Sequence, residues 1–156
     1  MSDSCGFPIG TIYNIFENRS AIFRETINYC NDVIYEGLKT EDHFTIDELR
    51  VRLKVFIINC VQNQSDFLFI DEFEYHPLNS NRHHYDENFK LGDESIESLT
   101  KKEILFNMSP YLTMTLIIGG ISKSIKYAIS NHINVTNKDI NDLIEAIMRS
   151  VVHGYM

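Results

Sequence analysis

His76, His83, His84, Asp86 and Glu87 fall within a dozen residues of one another and carry the imidazole and carboxylate groups that hold zinc or nickel. Their spacing argues against a metal centre. His83 and His84 are adjacent, so their rings leave the chain in different directions, and no HExxH-like pair is present. A solvated polar loop accounts for the group. The chain also lacks a Ser/His/Asp nucleophile elbow and a phosphate-binding glycine loop. It therefore reads as a non-enzyme with no metal and no cofactor, and a metal-dependent enzyme is the weakest of the functional classes considered. The three cysteines, Cys5, Cys30 and Cys60, are odd in number, widely spaced and without a CxxC pair. Reduced thiols are expected, with Cys30 and Cys60 acting as small core residues.

Charge narrows the choice of partner. The net charge is -8, and the first 24 residues carry only Arg19 and Arg24 against Asp3 and Glu17. Phosphate neutralisation needs clustered Lys and Arg, and no such cluster occurs. The longest apolar stretch, Tyr111 to Ile121, contains two threonines and two glycines and is too short to span a bilayer. The opening MSDSCGFPIG has neither the basic nor the apolar region of a secretory signal, so a cytoplasmic location without membrane contact is expected.

The elements that must position any site read as helices throughout. Pro8 suits the first turn of a short helix to about Phe16. Asn18 is an N-cap for a helix from Arg19 to about Gly37, with Ile22, Phe23, Ile27, Cys30, Ile34 and Leu38 at steps of three and four. Thr45 and Glu48 have capping-box spacing for a helix to about Gln64, and Ser65 caps a shorter segment from Phe67 to Tyr75. Residues 76–98 are polar, with turn formers at Asn79, Ser80 and Gly92. Thr100 and Glu103 repeat the capping-box spacing and predict a helix from Lys101 to Asn107. Pro110 opens the longest helix, to about Asn131, and Thr136 caps the last. That last helix is one-sided: Ile140, Leu143, Ile144, Ile147 and Val151 oppose Asn141, Asp142, Glu145 and Arg149. Gly119 and Gly120 allow close backbone approach inside the longest helix.

The run from Gly6 to Phe23 resembles the recognition helix of TetR/AcrR-type transcriptional regulators and the start of the helix that follows it. The matching residues are Gly6, Gly10, Thr11, Tyr13, Phe16, Arg19, Ile22 and Phe23. Gly6 fits the turn of a helix-turn-helix, and Pro8, Ile9, Gly10 and Thr11 stand at the helix end that meets base edges. Thr11, Tyr13 and Asn14 offer hydroxyl and amide groups to bases or phosphates, and Arg19 offers a phosphate clamp. The stretch from Tyr111 to Tyr155, with Gly119, Gly120 and Gly154, is similar to the family's dimerisation helices. One departure stands out: the family places two further helices before the turn glycine, where only Met1 to Cys5 stand.

The resemblance implies an all-α, TetR-like bundle. Residues 1–18 are then the remnant of a helix-turn-helix with its recognition helix at about 8–16, residues 19–38 a connecting helix, and residues 39–156 a ligand-binding and dimerisation domain. The implied DNA-contacting residues are Pro8, Ile9, Gly10, Thr11, Tyr13, Asn14 and Arg19. The implied effector pocket comprises Phe56, Phe67, Phe69, Phe73, Tyr75, Tyr85, Phe89, Phe106, Met108, Tyr111 and Met114, suited to a small hydrophobic effector. The implied homodimer interface comprises Ile118, Ile121, Ile125, Ile140, Ile144, Ile147 and Val151. The expected function is repression relieved by the effector, with operator DNA as a partner when the two preceding helices are present; the 156 residues alone are expected to bind DNA weakly or not at all. The alternative is a dimeric small-molecule-binding or interaction module without DNA binding.

Overall fold

A computed structural model describes residues 18–38, 45–73 and 95–154. It is all-α: α1 (Arg19–Ile34), α2 (Ile46–Gln62), α3 (Gln64–Phe73), α4 (95–101), α5 (Pro110–Ser130) and α6 (Asn137–Val151). None of the described helices is long and apolar enough to cross a membrane.

Three helix starts follow from hydrogen bonds made within three residues of the cap. Asn18 Oδ1 accepts from the Ala21 amide at 2.9 Å. Thr45 and Glu48 close a full capping box, the Thr45 hydroxyl accepting from the Glu48 amide at 3.2 Å and the Glu48 carboxylate from the Thr45 amide at 2.7 Å. Thr136 forms the same box with Asp139, whose carboxyl the Thr136 hydrogen bonds hold below its ordinary range. Pro110 opens α5 without any side-chain cap from Ser109.

Two helix ends differ from expectation. α1 stops at Ile34 rather than near Gly37, because Asn59 of α2 donates its amide to the carbonyls of Ile34 and Glu36, both at 3.0 Å. Gly37 then takes a left-handed φ of 77°, which a glycine adopts without steric cost. α3 begins one residue before Ser65, so Ser65 is not its cap.

The capping box at Thr100 does not form. Thr100 lies inside α4, its hydroxyl donating to the Ile96 carbonyl at 2.8 Å, and the chain leaves the helix through Glu103 at a φ of 57°. The amides of Glu103 and Ile104 close this end on the carbonyls of Thr100 and Leu99. Burial decides the outcome: Ile96 and Leu99, three residues apart on one face, are both fully buried, and a helix starting after Thr100 would lose that pair. Instead of the expected Lys101–Asn107 helix, the chain makes an antiparallel bridge between Leu105 and Val152, with Phe106 N–H donating to Val151 and His153 N–H to Ile104, both at 2.9 Å.

One apolar core runs through α2, α4, α5 and α6, with Ile34 entering from α1 and Phe67 from α3. This placement corrects the expected dimer interface. Ile121, Ile125, Ile140, Ile144, Ile147 and Val151 are all buried inside the protomer, and Ile118 packs half-buried against them. The one-sided face of α6 finds its apolar partner in α2 and α5 of its own chain, so it is not presented to a second copy. Gly120 serves the same packing: a Cβ there would stand 2.8 Å from Ile147 Cδ1, while Gly119 faces open space.

Candidate functional site

Most of the implied DNA-contacting residues, Pro8, Ile9, Gly10, Thr11, Tyr13 and Asn14, lie outside the described residues. Arg19 is the first residue of α1 and is exposed, at the end of the helix that the Gly6–Phe23 run leads into. His76, His83, His84, Asp86 and Glu87 also lie outside the described residues. Among those described, no group of three or more His, Cys, Asp or Glu is placed to hold a metal ion.

The expected effector pocket does not form as a single chamber among the described residues. Tyr75, Tyr85 and Phe89 lie outside them, and the rest divide between separate places. Phe56 and Phe67 are core residues, Phe56 stacking on Tyr35, just past the end of α1, with ring centroids 5.6 Å apart. Phe69 and Phe73 join Phe23 in an aromatic cluster between α3 and α1, with centroid distances of 4.9 to 5.8 Å. Phe106 sits edge-on to His153 at 5.6 Å, Met114 packs on the core, and Tyr111 is exposed on α5. The physical reason is register. These side chains share a chemistry, yet leave their helices on different faces.

Met108 alone of the expected set lines a cleft of about 810 Å³, where the end of α4, the 102–109 connection, the start of α5 and His153 meet. Its lining is apolar at Leu105, Met108 and Pro110 and polar at Thr100, Asn107, Ser109, Glu103 and His153, with Glu97 and Lys101 paired at 2.7 Å. That volume is in the range of small-molecule sites, and the mixed lining suits a ligand with both apolar and hydrogen-bonding parts.

Two features escaped sequence reading. The first is a face of α5 that carries Tyr111, Leu112, Leu116 and Tyr127 at 44 to 65% exposure, with Gly119 at its centre. Apolar residues occur all round this helix, and the stripe Ile117, Ile121, Ile125 takes the core, leaving the remainder in solvent. The available signal was the second i, i+4 pair, Leu112 and Leu116. The second feature is a set of polar links between helices distant in sequence. Cys30 donates its thiol to Asp66 at 3.3 Å, and Lys126 of α5 pairs with Asp71 at 2.5 Å and with Glu72 at 3.9 Å. Hydrogen bonding and charge from Asp71 raise the Lys126 ammonium above its ordinary value.

The buried thiols carry no reactive signature. Burial, then the hydrogen bond to Asp66, pushes Cys30 up to about 12, and burial pushes Cys60 higher still. Both stay protonated and are poor nucleophiles. No protein-family model matches the chain, and comparison with curated proteins returns no match.

Proposed function

We propose that the chain is a DNA-binding transcriptional regulator of the TetR/AcrR type, a cytoplasmic homodimer that responds to a small, largely apolar effector. The observation that carries this reading is the ungapped run from Gly6 to Phe23, in which turn glycine, helix-start residues and following basic residue stand in the order a recognition helix requires. Two further features support it. The helix expected after that run starts where the run predicts, capped by Asn18. The exposed face of α5 around Gly119, apolar at Tyr111, Leu112 and Leu116 and bearing Lys123 beyond the glycine, is a surface on which a second copy can pack. The mixed cleft beside Met108 and His153 is the place for the effector.

A second reading, a dimeric small-molecule-binding or interaction module without DNA binding, is favoured by one observation. The net charge is -8, and the first 24 residues hold no basic excess. Transcript profiling separates the two. Removing the protein from its cell should raise a small, reproducible set of transcripts, and restoring it should return them to their former level. A transcript profile unchanged by removal leaves the module reading and contradicts the regulator.

A further inference from the structure

The contact between the α4–α5 connection and the end of α6 is a short antiparallel ladder. Phe106 N–H donates to the Val151 carbonyl and His153 N–H to the Ile104 carbonyl, so Leu105 and Val152 face each other with their own N–H and C=O groups pointing outward. Val152 spends its outward N–H on the Met148 carbonyl, closing α6. Leu105 differs: no backbone group among the described residues bonds to its N–H or its C=O. Yet only 2% of Leu105 is exposed. A buried amide and carbonyl without hydrogen bonds are rare and costly, and together they favour a ligand that brings both an acceptor and a donor.

We propose that the cleft of about 810 Å³ takes a short apolar peptide, or a peptide-like amide, in extended form, paired as a further strand with the outer edge of Leu105. Leu105 lines that cleft, and its side chain belongs to the core, so what it brings to the cleft is its backbone. One amino-acid unit of a ligand, with N–H and C=O on the same residue, matches the edge. Its carbonyl accepts from Leu105 N–H while its N–H donates to the Leu105 carbonyl, the paired bonds of an antiparallel ladder. Met108 and Pro110, on the same lining, supply apolar contact for the ligand side chain. Ser109 stands at the N-cap of α5 without making a cap hydrogen bond, which leaves its hydroxyl for a further polar contact. Lys101 is the only lysine or arginine described on the lining and is paired with Glu97, so the cleft offers no spare cation to select an anion. A hydrocarbon would answer neither Leu105 group. This ligand class rests on the effector reading of the cleft for its location alone. An unchanged transcript profile on removing the protein would leave peptide binding intact, and failure of the peptide to bind would leave the regulator with an effector of another class.

Amide NMR on the full chain, titrated with N-acetyl-leucine N-methylamide, tests the pairing. The Leu105 amide resonance should move downfield and its hydrogen exchange should slow about three- to ten-fold at saturation, while the amides of Phe106 and His153, already bonded, change less. The ester analogue, in which oxygen replaces the leucine N–H, keeps the apolar side chain and the acceptor but has no donor for the Leu105 carbonyl. It should bind about three- to ten-fold more weakly. Both arms vary the ligand and leave the chain intact, so no result depends on a variant that must fold. A Leu105 amide already protected in the chain alone, a Leu105 resonance unmoved up to about 10 mM peptide, or equal binding of amide and ester would each overturn the proposal.

Discussion

Adjacent glycines in α5 should respond to the same substitution in opposite ways. Alanine at Gly119 meets nothing within 4 Å in its own protomer, so in a monomeric Leu116→Lys background its effect is the helix-propensity difference alone, a gain of about 0.8 to 1 kcal/mol. For a chain of this size that corresponds to about 2 to 4 °C in Tm. Alanine at Gly120 has the same propensity gain, but its Cβ would stand 2.8 Å from Ile147 Cδ1, where carbon atoms prefer about 3.5 to 4.0 Å. The Ile147 methyl must rotate or α6 must retreat, at a cost of about 1 to 3 kcal/mol for overpacking, so the net change runs from about zero to a loss of about 2 kcal/mol. A cycle with Ile147→Val isolates the cause. Valine removes Cδ1 and should cost about 0.5 to 1.5 kcal/mol in the wild-type chain, yet little or nothing in Gly120→Ala, a coupling of about 1 kcal/mol. Urea unfolding at one fixed protein concentration measures all four proteins on the same footing. Equal stabilisation by both alanines, or strict additivity of Gly120→Ala and Ile147→Val, would refute the packing assigned to the α5–α6 contact.

Three other outcomes follow. Glu103 and His132 both close helices with positive φ, at 57° and 53°, so Glu103→Gly and His132→Gly should each stabilise by about 0.5 to 1 kcal/mol in urea unfolding, and a loss in either would contradict the assigned backbone. Leu116→Lys on the exposed face of α5 should leave circular dichroism unchanged and convert a dimeric mass to a monomeric one at micromolar concentration; a dimer that survives the substitution places the interface elsewhere. The thiols give a pH dependence: an unfolded cysteine loses its proton above about 8.5, whereas Cys30 and Cys60 hold theirs to much higher pH. Above that point the unfolded state is favoured, so stability should fall by up to about 1.4 kcal/mol per pH unit for each thiol between pH 8.5 and 9.5, and Cys30→Ala with Cys60→Ala should flatten the slope.

Helix starts were legible in the sequence because their determinants are local. Asn18, Thr45 with Glu48, and Thr136 each satisfy backbone amides within three residues, a distance over which spacing alone specifies a bond. α4 was illegible for the opposite reason. Ile96 and Leu99 are two apolar residues in a polar stretch, too few to show a period, and they are buried in a core built from helices distant in the chain. The one-sidedness of α6 announced a partner surface but carried no information on whether that surface belonged to the same chain or to another. For the candidate site, composition identified aromatic residues without their helical register, so one expected chamber divides into a core stack, a cluster between α1 and α3, and a separate cleft.

The central reading, that the chain is built to place a recognition helix on each half of a two-fold DNA site, is tested most directly by selecting duplexes from a random pool at about 50 mM salt, where phosphate contacts are strongest. The account predicts weak enrichment of a palindrome whose half-sites lie about 34 Å apart or a multiple of that. Recovery of unrelated sequences alone would contradict the account.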